Sequence, residues 1–141
     1  MDVKFYFLEP ASLRQRQYLK KFIVRLFKRE GQNLGSLSYI FCSDKYLLKI
    51  NQDFLKHDYY TDIITFDLRT NPSEPITGEI YISIDRVKDN AVRLGLTQTR
   101  ELHRVIFHGA LHLCGYKDKT KADQKEMRKR EDRLLNQYFK K

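Results

Sequence analysis

The sequence predicts an α+β fold: one domain, with a small mixed four-stranded sheet packed with helices and a metal site at the end of a helix carrying two histidines. Three observations predict it. Short runs rich in β-branched and aromatic residues alternate with segments whose apolar residues recur at helical spacing. The 141 residues, 41% hydrophobic with nine Phe and nine Tyr, suit a single core. Finally, His108 and His112 stand four residues apart inside one of the helical segments.

In order, residues 3–8 (Val-Lys-Phe-Tyr-Phe-Leu) read as a strand, and Ser12 with Gln15 makes a capping-box start for the first helix. Through residues 14–29 that helix places Tyr18, Leu19, Phe22, Ile23, Leu26 and Phe27 on a core-facing stripe. Its outer face carries Arg14, Arg16, Lys20, Lys21, Arg25, Lys28 and Arg29 and no acid. Gly31 and Gly35 bracket a turn into a second strand at 37–42, and a short helix follows from Asp44 to Phe54. Residues 62–68 and 79–84 are the third and fourth strands. Asn71-Pro72, Pro75 and Gly78 make the connection between them irregular, since proline supplies no amide donor. Asp85 is expected to cap a helix over 86–94 that Gly95 closes, and Thr97 to cap the next over 98–114. Asp123 with Glu126 signals a last helix, to Phe139.

The chemistry concentrates in His108-Gly109-Ala110-Leu111-His112-Leu113-Cys114-Gly115-Tyr116-Lys117-Asp118. Four residues advance a helix by about 40° beyond one turn, so His108 and His112 point the same way. Gly115 can take the left-handed conformation that ends a helix, and Asp118 then approaches the two imidazoles from a loop. Three ligands with a fourth position open is the layout of a catalytic zinc site. The zinc proteases with this spacing carry a glutamate directly after the first histidine as general base. Gly109 stands there, which argues against peptide hydrolysis. Cys114 projects from nearly the opposite side of the helix and is assigned to the core; His103, about 140° around from His108, is a poor ligand candidate. Glu101, seven residues before His108, shares its face and supports a ligand, faces solvent or serves the helix dipole.

The formal charge of +9 favours polyanionic partners. Two cysteines, Cys42 and Cys114, form neither a disulfide framework nor a zinc-finger pair. No run approaches a membrane span, and the opening residues lack the layout of a secretion signal, so a cytoplasmic location is expected.

The motif from His108 to Asp118 is accompanied by two further blocks. One runs from Ile50-Asn51 through Thr61-Asp62-Ile63-Ile64-Thr65-Phe66, the other is Gly78-Glu79-Ile80-Tyr81-Ile82-Ser83. Together they resemble the YbeY-type rRNA maturation factors, single-domain bacterial proteins regarded as zinc-dependent endoribonucleases. The resemblance implies one such domain over residues 1–141, with one Zn2+ held by His108, His112 and Asp118, which are also the catalytic residues. It implies single-strand-specific cleavage in maturing the 3′ end of 16S rRNA and a part in ribosome quality control. The expected partners are rRNA, the small subunit and a ribosome-associated GTPase, with no membrane and no small-molecule cofactor. Two departures touch the chemistry. Asp118, preceded by Lys117, stands where the family has histidine preceded by aspartate, making the site harder and more open to manganese or iron. Leu55 stands where the family has an arginine suited to clamping phosphate, and Lys56 is placed to take part of that role. The RNA-contact candidates are Lys56, His57, Arg25 and Lys28; Tyr59 and Tyr60 either stack on unpaired bases or pack at the strand entrance. A metal-stabilised RNA- or ribosome-binding factor without nuclease activity is the competing reading, and a metalloprotease the third.

Overall fold

In the computed structural model, which describes residues 2–140, the elements run β1 (Asp2–Phe7), α1 (Arg16–Arg29), β2 (Leu34–Cys42), α2 (Asp44–Leu55), β3 (Ile63–Asp67), β4 (Ile76–Ser83), α3 (Ile84–Leu94), α4 (Gln98–Leu113) and α5 (Lys121–Lys140). The sheet order is β1-β2-β4-β3. β1, β2 and β4 are parallel, and β3 closes one edge antiparallel to β4, which makes the sheet mixed and four-stranded as expected.

Alternation along the strands decides what each face packs against. Leu37, Tyr39 and Phe41 of β2 and Ile80 and Ile82 of β4 join the apolar stripe of α1 and the inner side of α4 in the main core. Cys42, Ile64, Phe66 and Tyr81 face the other way, against Leu47 and Ile50 of α2. Helices therefore cover both faces, with α3 and α5 flanking α4.

α4 is pressed onto the sheet at Gly109. A Cβ there would lie 2.9 Å from two side-chain carbons of Ile80 and 3.0 Å from Ile63 Cδ1. Gly109→Ala is expected to lower stability by about 1–2 kcal/mol, because overpacking a core costs about 1–3 kcal/mol and the helix-propensity gain is under about 1 kcal/mol. A urea-denaturation midpoint that rises instead would show that α4 is not seated this way.

The ends of several elements differ from expectation, each for an identifiable reason. The Ser12–Gln15 capping box does not form: Leu13 is buried in the core, Gln15 sits at φ 53° without a side-chain cap, and α1 starts only at Arg16. Gly35 lies inside β2, where the register with β4 shifts, and Gly78 lies inside β4 under Leu113, so the irregular connection is confined to 68–75. Ser83, not Asp85, caps α3, its Oγ accepting from Arg86 N–H at 3.1 Å, and strand passes directly into helix. Asp85 instead accepts from the Asp44 amide at the start of α2. The last helix opens one turn earlier than Asp123 and Glu126 suggest: Asp123 N–H donates to Thr120 Oγ1 at 3.0 Å and Thr120 N–H to the Asp123 carboxylate at 3.4 Å. Thr97 caps α4 as expected.

Candidate metal centre

Both histidines sit in the last two turns of α4, and how that helix ends fixes one of them. Gly115 takes φ +103°, the Tyr116 amide donates to Leu111 O and the Gly115 amide to His112 O, the paired bonds of a glycine-terminated helix. That turn aims the Tyr116 carbonyl at His112, whose Nδ1–H donates to it at 2.8 Å. A carbonyl can only accept, so the proton of neutral His112 is on Nδ1 and the Nε2 lone pair is free.

His108 is fixed the same way by a residue of α5. Its Nδ1–H donates to Glu131 Oε2 at 2.5 Å. Glu131 is buried, and although burial alone would raise its pKa, the His108 hydrogen bond and the charge of Arg104 outweigh it and hold the carboxyl below its ordinary value. Arg104 Nη1 donates to Glu131 Oε1 at 3.2 Å, and its Nε and Nη2 grip both oxygens of buried Glu101 at 2.8 and 2.7 Å. Asp62 adds a fourth charge, 3.6 Å from Arg104 Nη2. Burial would lower the Arg104 pKa, but these carboxylates raise it further, so its charge is permanent.

The two Nε2 atoms converge on Asp118, whose Oδ2 lies 3.3 Å from each. One donor atom from each of the three residues falls within a 4.8 Å cluster that could hold a metal ion. Two ligands about 2.0–2.1 Å from a tetrahedral centre stand about 3.3–3.4 Å apart, so the Asp118 separations fit zinc or an ion of similar size. Nitrogen, nitrogen and carboxylate oxygen, with both Nδ1 positions already bonded, is a donor set prepared for such an ion.

The cluster opens into a cleft of about 540 Å³ between α4, β3 and the segment after α2. Its ionised lining is Asp62, Asp67 and Asp118 against Arg104, a net −2 with neutral histidines. His57 and Tyr59 form one rim, ring centroids 5.1 Å apart and 20° from parallel, with the pair hydrogen-bonded at 2.9 Å. Asn51 secures that rim by donating to Tyr59 O at 2.9 Å.

Of the residues singled out from sequence, His108, His112, Asp118, His57 and Tyr59 line this cleft, and so does Leu55. Lys56 ends α2 at φ 58° with its ammonium 3.3 Å from Asp53 O, outside the lining. Arg25 and Lys28 are exposed on α1, also outside it. Tyr60 lies under the Arg86 guanidinium at 5.1 Å. His103 is buried against Phe107, Tyr138 and Phe139, and Cys114 packs on the core with burial pushing its thiol up to about 12. Glu101 supports a ligand at one remove, through Arg104. Sequence reasoning missed Glu131 and Arg104. The signal for Glu131 was present: Met127, Glu131, Leu135 and Tyr138 share one stripe of α5, and a carboxylate in a core stripe needs a buried partner.

Position 109 answers the protease alternative. A Cβ there would already crowd Ile80 and Ile63, so the glutamate of those proteases has no space at this position.

Comparison with known proteins agrees with this architecture. Residues 9–139 match the family described as Endoribonuclease YbeY. A Cytophaga hutchinsonii protein named Endoribonuclease YbeY is 52% identical, with 94% of this chain and 93% of that protein covered. One of the same name from Porphyromonas gingivalis is 48% identical, covering 92% and 86%. The solution structure of TM1509 from Thermotoga maritima superposes with a TM-score of 0.64 at 26% identity over 99% of this chain and 89% of that one. With residues 9–139 matched by the family model and relatives about half identical over most of the chain, the chain belongs to the YbeY endoribonuclease family.

Proposed function

We propose that this protein is a metal-dependent endoribonuclease, zinc being the ion that fits its donors best, and that it cleaves single-stranded RNA in rRNA maturation. The carrying observation is the convergence of two pre-oriented Nε2 lone pairs and one carboxylate at the wall of an open cleft. The named activity of the relatives supports RNA as the substrate. When bound, the ion supplies a Lewis acid for the phosphoryl oxygens and acidifies a coordinated water.

The chain's own residues set the rest. Glu131 and the Tyr116 carbonyl keep the imidazoles from rotating and leave both Nε2 atoms turned toward Asp118. Asp118 adds one negative charge beyond what a histidine would. The lining sets three carboxylates against Arg104, with Asp67 also held by Arg69, so a divalent cation beside Asp118 lowers the repulsion that a polyanion meets there. The stacked His57–Tyr59 pair offers a flat face to an unpaired base, an interaction worth about 1–3 kcal/mol per base. Processing of the 3′ end of 16S rRNA, ribosome quality control, and contact with the small subunit and a ribosome-associated GTPase belong to the same proposal, resting on the family likeness. So does a cytoplasmic setting; among the described residues no helix is long and apolar enough to cross a membrane.

Chelation is expected to abolish cleavage of a labelled single-stranded RNA and zinc to restore it, read on a denaturing gel. The binding-factor reading is favoured by one observation: Leu55 lines the cleft in place of an arginine, and Arg104, the one cation in the lining, is committed to three carboxylates. Zinc-loaded protein that docks on ribosomes and leaves RNA intact would establish that reading and end the nuclease proposal.

A further inference from the structure

The basic face of α1 takes no part in the metal cleft, yet it meets a second basic surface. Arg25 and Arg29 of α1 and Arg130 and Arg133 of α5 line a groove of about 240 Å³ between the two helices, over an apolar floor. Glu30 is the one acid in its lining. Arg130 is drawn to Glu126 at 3.0 Å and Glu30 at 3.9 Å. Arg29 bonds only the Gln137 amide oxygen, at 3.3 Å, while Arg25 and Arg133 have no carboxylate partner among the described residues. Three guanidinium groups thus face the groove without a counter-ion.

We propose that this groove is a second RNA site, binding backbone phosphates of a strand whose reacting bond lies in the metal cleft; this rests on the endoribonuclease reading. Guanidinium forks match phosphate oxygens bidentately, and an apolar floor suits the faces of ribose and base better than a folded acidic surface. The cleft has no uncommitted cation, so the phosphate contacts that hold a strand must come from elsewhere. Tyr116 joins the two places. Its carbonyl accepts from His112, its hydroxyl donates to Glu30 Oε1 at 2.7 Å, and the Arg130 guanidinium lies 5.1 Å from its ring centroid. A strand leaving the cleft past this turn enters the groove. Along the α1 face Arg29 lines the groove, Arg25 stands between the groove and a separate depression beside Asp2, and Lys20, Lys21 and Lys28 line that depression alone.

The test measures equilibrium binding of a long oligouridylate to the zinc-loaded protein across a salt series, probe integrity being checked on a gel. Arg25→Gln/Arg133→Gln is expected to weaken binding on the order of tenfold at moderate salt and to flatten the log–log salt slope by about 1.4, two phosphate contacts at about 0.7 each. A control losing the same charge on exposed residues elsewhere, Lys4→Gln/Lys45→Gln, is expected to leave the slope in place. Unchanged affinity and slope in the arginine variant, or an equal loss in the control, overturns the groove. Cleavage is read separately: a wild type that binds but never cuts counts against the nuclease reading, not against the groove.

Discussion

Asp118→Ala is expected to weaken zinc binding at least about a hundredfold, nearly 3 kcal/mol, and to reduce RNA cleavage to the level of chelated protein. The size follows from the donor count. With the third donor removed, two imidazoles and solvent remain, and among the described residues no other His, Cys, Asp or Glu belongs to the cluster. The fold is not at stake, because the Asp118 side chain is 42% exposed and its ion pairs among the described residues are with the two rings. His112→Ala is expected to match it. Asp118→His, which restores the donor of the wider family, is expected to retain zinc and to shift preference away from manganese and iron, since imidazole is the softer ligand. Metal content by mass spectrometry and cleavage on the same preparations check all three. Full occupancy and rate in Asp118→Ala would remove that residue from the centre.

Glu131→Gln should act on stability and on the metal together. The amide keeps an acceptor for His108 Nδ1–H but loses the charge that faces Arg104. Breaking a buried ion pair costs about 3–5 kcal/mol when one charge is orphaned; here Arg104 retains Glu101 and Asp62, so about 2 kcal/mol is expected. Zinc affinity is expected to fall about 10- to 100-fold, the range for partners that orient a ligand. Denaturant titration and zinc competition against a chromophoric chelator read the two effects separately. A variant with wild-type zinc affinity would mean that Glu131 serves packing and charge balance alone.

The site was legible in sequence to the depth that spacing allows. His108 and His112 are a turn apart on one helix, and Gly115 announces where that helix stops, so the three-donor cluster follows from local geometry. Glu131 does not, because its partner is 23 residues away on another helix and only tertiary packing brings them together. Within the fold, all four strands and five helices could be read from period and punctuation. Apart from the start of α5, which Thr120 sets locally, the misplaced ends share one cause: a local signal was overruled by a contact made elsewhere. Ser12 and Gln15 lost to burial of Leu13, Asp85 was taken by the start of α2, and Gly35 and Gly78 were needed where backbones and side chains crowd the sheet.

The Arg104 cluster draws its acids from the segment before β3, from α4 and from α5, and through Glu131 it sets the angle of a metal ligand. During synthesis the first two are available long before the third. A chain still lacking its final helix therefore has both imidazoles on one helix, with Arg104 held by Glu101 and Asp62 but with His108 lacking the carboxylate that fixes its ring. The orientation of His108 is thereby completed only when the last helix packs.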